Sequence, residues 1–223
     1  GHIDLARPVY HYGFLGKVKK ILESICIHCA KVKADAYTDP VFAAVLKSTA
    51  SSRTRRFKRV WEHCVKKTVC EADDALKDDD EEMEADDGEP KIGHGGCGHQ
   101  QPLIRKEGLK LFTVWKKGKD DEEEAEPSKM SQSDRKLLSA SEVHTLFKKI
   151  SSEDIEVLGL SEEFARPDWM ILTVLPVPPQ PVRPAVVESG MGKGEDDLTY
   201  KLAEIIKANQ SVKKFELEGA PLH

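Results

Sequence analysis

The stretch Cys26-Ile27-His28-Cys29 constrains this chain more than any other. Two thiols spaced C-x-x-C reach one ion across a tight turn, and a structural zinc site wants four such ligands in a tetrahedron. The other half of the site must come from elsewhere. The remaining cysteines are Cys64, Cys70 and Cys97. An odd total, with no apolar segment at the start that reads as a secretory signal, argues for a reducing compartment. There, clustered cysteines bind metal more often than they pair as disulfides. Cys97 stands in GHGGCGHQ, whose glycines permit the tight backbone of a metal knuckle, and it is the third ligand expected. Cys64 and Cys70 compete for the fourth place. Cys64 falls on an apolar stripe with Phe57, Val60 and Trp61, where a buried free thiol is the ordinary reading. Cys70 follows Lys-Lys-Thr-Val beyond that stripe and is the better ligand, with His94 and His99 as fallbacks. His28, between two ligands, is expected to face solvent, and His63 to be a surface residue.

The plain alternatives are two unrelated free thiols, or a thioredoxin-like redox pair. The redox pair would open a helix in a βαβ setting, whereas this pair follows a helical pattern. Four thiolates leave no open coordination position, so the expectation is a closed, structural, non-catalytic zinc site that supplies folding energy. Phosphate-loop, dinucleotide, nucleophile-elbow and H-E-x-x-H motifs are absent from the sequence. GMGKGED, 190–196, lacks the strand and Lys-Ser/Thr pair of a phosphate loop and reads as a linker.

Charge is unevenly placed. Residues 71–90 carry 12 acids and one lysine, and 120–126 carry six acids. Without these runs, the 39 acids and 34 bases become 21 and 33, so an acidic chain of net charge −5 has a basic body. A basic body suits phosphates nearby as well as plain solvation. The run 71–90 has neither aromatics nor periodicity and reads as disordered. No apolar window long enough to span a membrane occurs.

Periodicity predicts helices over 11–25, with Phe14, Val18, Ile21, Leu22 and Ile25 on one face, over 41–47, and over 53–66, with a basic outer face. Short strands are expected near 102–106 and 109–115, with a turn at Glu107-Gly108. Ser139 with Glu142 is a capping-box signature for a helix whose stripe is Val143, Leu146, Phe147 and Ile150. Another short helix stops at Gly159. RPDWMILTVLPVPPQPVRP reads as a strand running into a polyproline-like segment. GEDDLTYKLAEIIKAN reads as a helix with acids in its first turn. The fold class is therefore α+β, mostly helical, with short antiparallel strands and a structural zinc site.

GHIDLARPVYHYGFL leading into CIHC, then GGCGHQQPLIRKEGLKL, RPDWMILTVLPVPPQPVRP and GEDDLTYKLAEIIKAN, together resemble the clamp region of the largest subunit of eukaryotic RNA polymerase II. The resemblance covers nearly all of the chain outside the acidic runs. It implies zinc on Cys26, Cys29, Cys70 and Cys97, the set already favoured by the residues. It implies that His2 follows a second, upstream zinc site and is no ligand. Magnesium and the catalytic aspartates belong to the intact nucleotidyltransferase and not to this chain, which reads as a fragment. The expected parts are 1–130, a zinc-stapled head and core portion with the acidic insertion near 71–92, then 131–194, helical and Pro-rich, then 195–223, the first helix of a clamp coiled coil. The implied role is nuclear: a clamp closing over the DNA template and the RNA–DNA hybrid beside other polymerase subunits. Initiation factors and a NusG-like elongation factor would meet the coiled-coil end. Arg105, Lys106, Lys110, Lys116 and Lys117 are candidate nucleic-acid contacts on charge alone. Without its partner helix, 195–223 is expected to expose Leu198, Leu202, Ile205 and Ile206. The rival reading is a free-standing zinc-stabilised protein-interaction module.

Overall fold

The structure, a computed structural model, describes residues 1–71, 95–115, 135–188 and 192–219. The elements are β1 (His2–Tyr10), α1 (Leu15–Ser24), α2 (Pro40–Ser48), α3 (Arg53–Cys64), β2 (Leu103–Glu107), β3 (Lys110–Val114), β4 (Arg135–Leu138), α4 (Ala140–Lys148), α5 (Ser152–Val157), β5 (Ile171–Pro176), β6 (Val186–Glu188), β7 (Gly192–Gly194) and α6 (Asp197–Leu217). Helices and antiparallel strands coexist without parallel βαβ units among the described residues, which is the expected α+β class. They form two compact units, Tyr10–Ile171 and Gly1–Val9 with Leu172–His223.

In the unit Tyr10–Ile171, helical periodicity builds the core. Leu15, Val18, Ile21 and Leu22 line one face of α1 and are buried, and Ile25 follows just past its end. Phe57, Val60 and Cys64 form the buried stripe of α3, and Val143 and Phe147 that of α4. The starts of α2 to α5 have sequence-encoded caps, whereas α1 begins after Phe14 without one. Asp39 accepts from the Phe42 N–H at 3.0 Å with Pro40 in the first turn, and Ser52 accepts from the Arg55 N–H. The Ser139–Glu142 capping box forms in both directions. α5 ends at Gly159, whose φ of +73° suits a left-handed cap. A Cβ at Gly159 would stand 2.6 Å from the Arg53 carbonyl oxygen, so the glycine also lets the end of α5 touch the start of α3.

β2, β3 and β4 make an antiparallel three-stranded sheet. Glu107 pairs with Lys110, so the turn is Gly108-Leu109, one residue later than expected. Gly108, at φ +54°, supplies the positive φ that two-residue hairpins favour. β4 was not expected from the sequence.

In the other unit, β1 and β5 pair, and β6 pairs with β7. The linker expected at 190–196 thus includes a strand, because Gly194 pairs with Val186 in an antiparallel ladder. The sequence gives no hint of β1, since Pro8 interrupts its alternation and β5 lies far along the chain. α6 starts at the Asp196 cap. Its Leu198 and Ile206 are exposed, as expected, but Leu202 and Ile205 are half-buried. On their stripe, Asn209 accepts from the Ala6 N–H at 2.6 Å and donates to the Asp4 carbonyl at 2.8 Å. Arg7 of β1 also pairs with Glu216. This edge of the helix therefore has a partner in β1.

Candidate metal centre

Two turns bring the site together. The first follows α1. The Cys26 N–H donates to the Lys31 carbonyl at 2.8 Å, and the Ala30 N–H to the Cys26 carbonyl at 3.0 Å, closing the loop 26–31. Ala30, the residue after the second thiol, sits at φ +68° and is the one non-glycine with positive φ among the described residues. Its small side chain is buried. In the second turn, the Cys70 N–H donates to the His99 carbonyl at 3.0 Å and the Gln101 N–H to the Thr68 carbonyl at 2.7 Å. There Gly98, again the residue after a thiol, takes φ +70°. The glycines noted around Cys97 thus serve a knuckle, and Ala30 occupies the matching place in the other half.

The sulfurs of Cys26, Cys29, Cys70 and Cys97 all lie within 4.8 Å of one another. Cys26 Sγ is 3.5 Å from Cys97 Sγ, and Cys29 Sγ is 3.7 Å from Cys70 Sγ. A tetrahedron with metal–sulfur bonds of about 2.3 Å has edges of about 3.8 Å. A disulfide needs about 2.0 Å. The spacing fits four ligands on one ion. Donors are aimed at the sulfurs: the His28 N–H at Cys26 (3.4 Å), the Cys97 N–H at Cys70 (3.4 Å), and the Gln101 side-chain amide at Cys26 (3.1 Å). The Lys31 N–H serves Cys29 and the His99 N–H serves Cys97.

As free thiols these groups titrate apart. Burial pushes Cys70 above the ordinary thiol range, with the Cys26 and Cys29 sulfurs adding to it. Burial also raises Cys29. At Cys97, burial opposes ionisation but hydrogen bonds led by the His99 N–H win and hold it at about 6. Four thiolates crowded this closely repel one another, and a divalent cation that displaces the protons removes that conflict. The donor set is soft, closed and compatible with zinc.

Cys64 lies apart from the cluster, fully buried, its thiol pushed up to about 12 by burial. It is the core thiol expected. His28 and His99 are exposed and their rings stack at 4.5 Å, and the His99 ring bonds to the Cys97 carbonyl, so neither belongs to the sulfur cluster. The fallback His94 lies outside the described residues. His63 is not a surface residue. It is bonded to Asp39 at 2.7 Å and packed on Phe42, because α3 turns that face toward the start of α2. His2 is exposed on β1.

Arg105, Lys106 and Lys110 are exposed on the β2–β3 hairpin. The strand pleat puts Arg105 opposite Phe112 and Lys110 opposite Glu107 on one face, with Lys106 on the other. Arg135 of β4 lies over the Phe112 ring on the first of these faces. Lys116 and Lys117 lie outside the described residues. Gln101 and Lys33, both buried beside the sulfurs, were missed. Their spacing from the cysteines follows no metal-site pattern, so no local signal marks them.

A four-cysteine knuckle pair within an α+β frame makes a structural domain with a place that could hold a metal ion. The sequence matches the family described as RNA polymerase Rpb1, domain 1, over residues 1–223, and the chain belongs to that family. It is therefore the first domain of the largest subunit of a DNA-directed RNA polymerase, a nucleotidyltransferase that works on DNA together with its other subunits. Among the described residues, no helix is long and apolar enough to cross a membrane.

Proposed function

We propose that this chain is the clamp portion of the largest subunit of nuclear RNA polymerase II, non-catalytic in itself. It closes over DNA and the RNA–DNA hybrid with a structural zinc held by Cys26, Cys29, Cys70 and Cys97. The observation that carries the reading is the meeting of four sulfurs from two distant turns, within 4.8 Å, in a chain that matches the polymerase family from end to end. Zinc supplies a four-way cross-link. The residues present it with two preformed knuckles and at least five N–H donors that lower the cost of gathering thiolates. The division into 1–130, 131–194 and 195–223 is part of this proposal, with α6 as the first coiled-coil helix meeting initiation factors and a NusG-like elongation factor.

Native mass spectrometry tests the centre. One zinc is expected in the wild type and in Cys64→Ser, and none in Cys70→Ser. Loss confined to Cys64→Ser overturns the ligand set. For the nucleic-acid role, Arg105 and Lys110 share a face and contact phosphate. The double variant Arg105→Gln/Lys110→Gln, in the assembled polymerase, is expected to lower the salt slope of duplex binding by about one to two phosphates. An unchanged slope removes this hairpin from the DNA path.

A further inference from the structure

Lys33 is a buried lysine beside the metal centre that is not one of its ligands. It is 4% exposed. Its backbone is pinned by an N–H bond to the Ser24 carbonyl at 3.0 Å. Its ammonium donates to the Lys67 carbonyl at 3.5 Å, three residues before Cys70. Among the described residues no carboxylate forms an ion pair with it. Glu23 acts on it at longer range, but Glu23 is taken up by Lys19 and by the Trp61 indole N–H at 2.8 Å. A buried ammonium with one neutral acceptor is strongly disfavoured unless a negative group offsets it.

Burial disfavours the Lys33 charge and lowers its pKa, while Cys64, then Glu23, Cys26 and Cys70 act in the opposite direction, so three of its four negative neighbours are sulfurs. Cys64 is the poorer source of charge, because burial pushes its thiol well above the ordinary range and it lies outside the sulfur cluster. Cys26 and Cys70 are ligands of the candidate centre. One divalent cation on four thiolates leaves two negative charges uncompensated inside the domain. The neutral donors at the sulfurs orient them and soften that charge without cancelling it.

We infer that Lys33 is the internal counter-charge of the four-thiolate centre, balancing from within the core the negative charge that remains when the metal is bound. This rests on the metal reading above. Its chemistry is electrostatic, so it demands a cation at position 33 and not merely an apolar stem.

Zinc titrated against a chromophoric chelator, with the 223-residue chain and its variants Lys33→Met, Lys33→Gln and Lys33→Arg, tests it. Far-UV circular dichroism at saturating zinc monitors folding. Lys33→Met and Lys33→Gln are expected to bind zinc about 10- to 100-fold more weakly, as is usual when an outer-shell partner is lost. Lys33→Arg is expected to stay within about threefold of the wild type. A role in packing alone predicts wild-type affinity for Lys33→Met, which keeps the stem, and that result overturns the inference. So does failure of both neutral variants to fold at saturating zinc, or equal loss in Lys33→Arg and Lys33→Met. A wild-type chain that takes up no zinc defeats the metal reading itself, a result distinct from all of these.

Discussion

Ala30 and Gly159 hold the same kind of backbone for different reasons. Ala30 sits at φ +68° directly after a sulfur ligand, in a conformation that costs a non-glycine residue roughly 1 kcal/mol or more. Ala30→Gly is expected to relieve this and raise stability by about 0.5–1 kcal/mol. Ala30→Val puts a branched side chain at a buried left-handed site and is expected to abolish metal uptake. Urea midpoints for the first and zinc stoichiometry for the second check these outcomes. At Gly159 the difficulty is an obstacle as well as a torsion, because a Cβ would lie 2.6 Å from the Arg53 carbonyl oxygen. Gly159→Ala is expected to cost about 1–3 kcal/mol, read as a lower urea midpoint at constant slope.

Between elements, Asp39 does the joining. Its carboxylate caps α2, accepts from the Phe42 N–H, bonds to His63 of α3, and pairs with Lys67 at 3.1 Å. Burial works against its charge, but these hydrogen bonds outweigh burial and hold the carboxyl well below the usual range. A depressed carboxylate contributes stability that is complete above its unfolded value, about 3.9, and is lost as pH falls below it. Acid unfolding of the wild type is thus expected to steepen below about pH 4, and Asp39→Asn to flatten that limb while costing about 1–3 kcal/mol at neutral pH. Thermal melts across pH 2–7 decide it. Elements with local signals were legible in the sequence: α1 and α3 through periodicity, α4 and α6 through periodicity and the acids and caps at their starts, and the hairpin to within one residue of its turn. β1, β4 and β7 were not, because their pairing partners are remote or their runs too short to show alternation. That Cys26, Cys29, Cys70 and Cys97 come together was readable because C-x-x-C spacing and a glycine-flanked thiol are local features. Gln101 and Lys33 come to the sulfurs only through tertiary folding, and His63 was misplaced because its partner Asp39 lies on another helix.

For the molecule as a whole, an ion held by the four sulfurs would link two turns that are otherwise joined through Gln101, which accepts from the Ile27 N–H and donates to Cys26 Sγ. Chelation of the ion is expected to lower the melting temperature of the chain and to open it to protease cleavage between 26–31 and 97–101 before elsewhere, with zinc restoring both. An unchanged melt and cleavage pattern after chelation would mean that the hydrophobic core alone holds these turns.

The bond from the Cys70 N–H to His99, and from the Cys97 N–H to the Cys70 sulfur, brings together the two ends of everything between them. The Val114–Arg135 pairing does the same for the second acidic stretch. Once the ends of a loop are fastened, doubling its length costs only about 0.6 kcal/mol. Length added between either pair of fastened ends is therefore expected to cost their pairing little. A folded reporter spliced in after Asp79 should leave the four sulfurs within reach of one another.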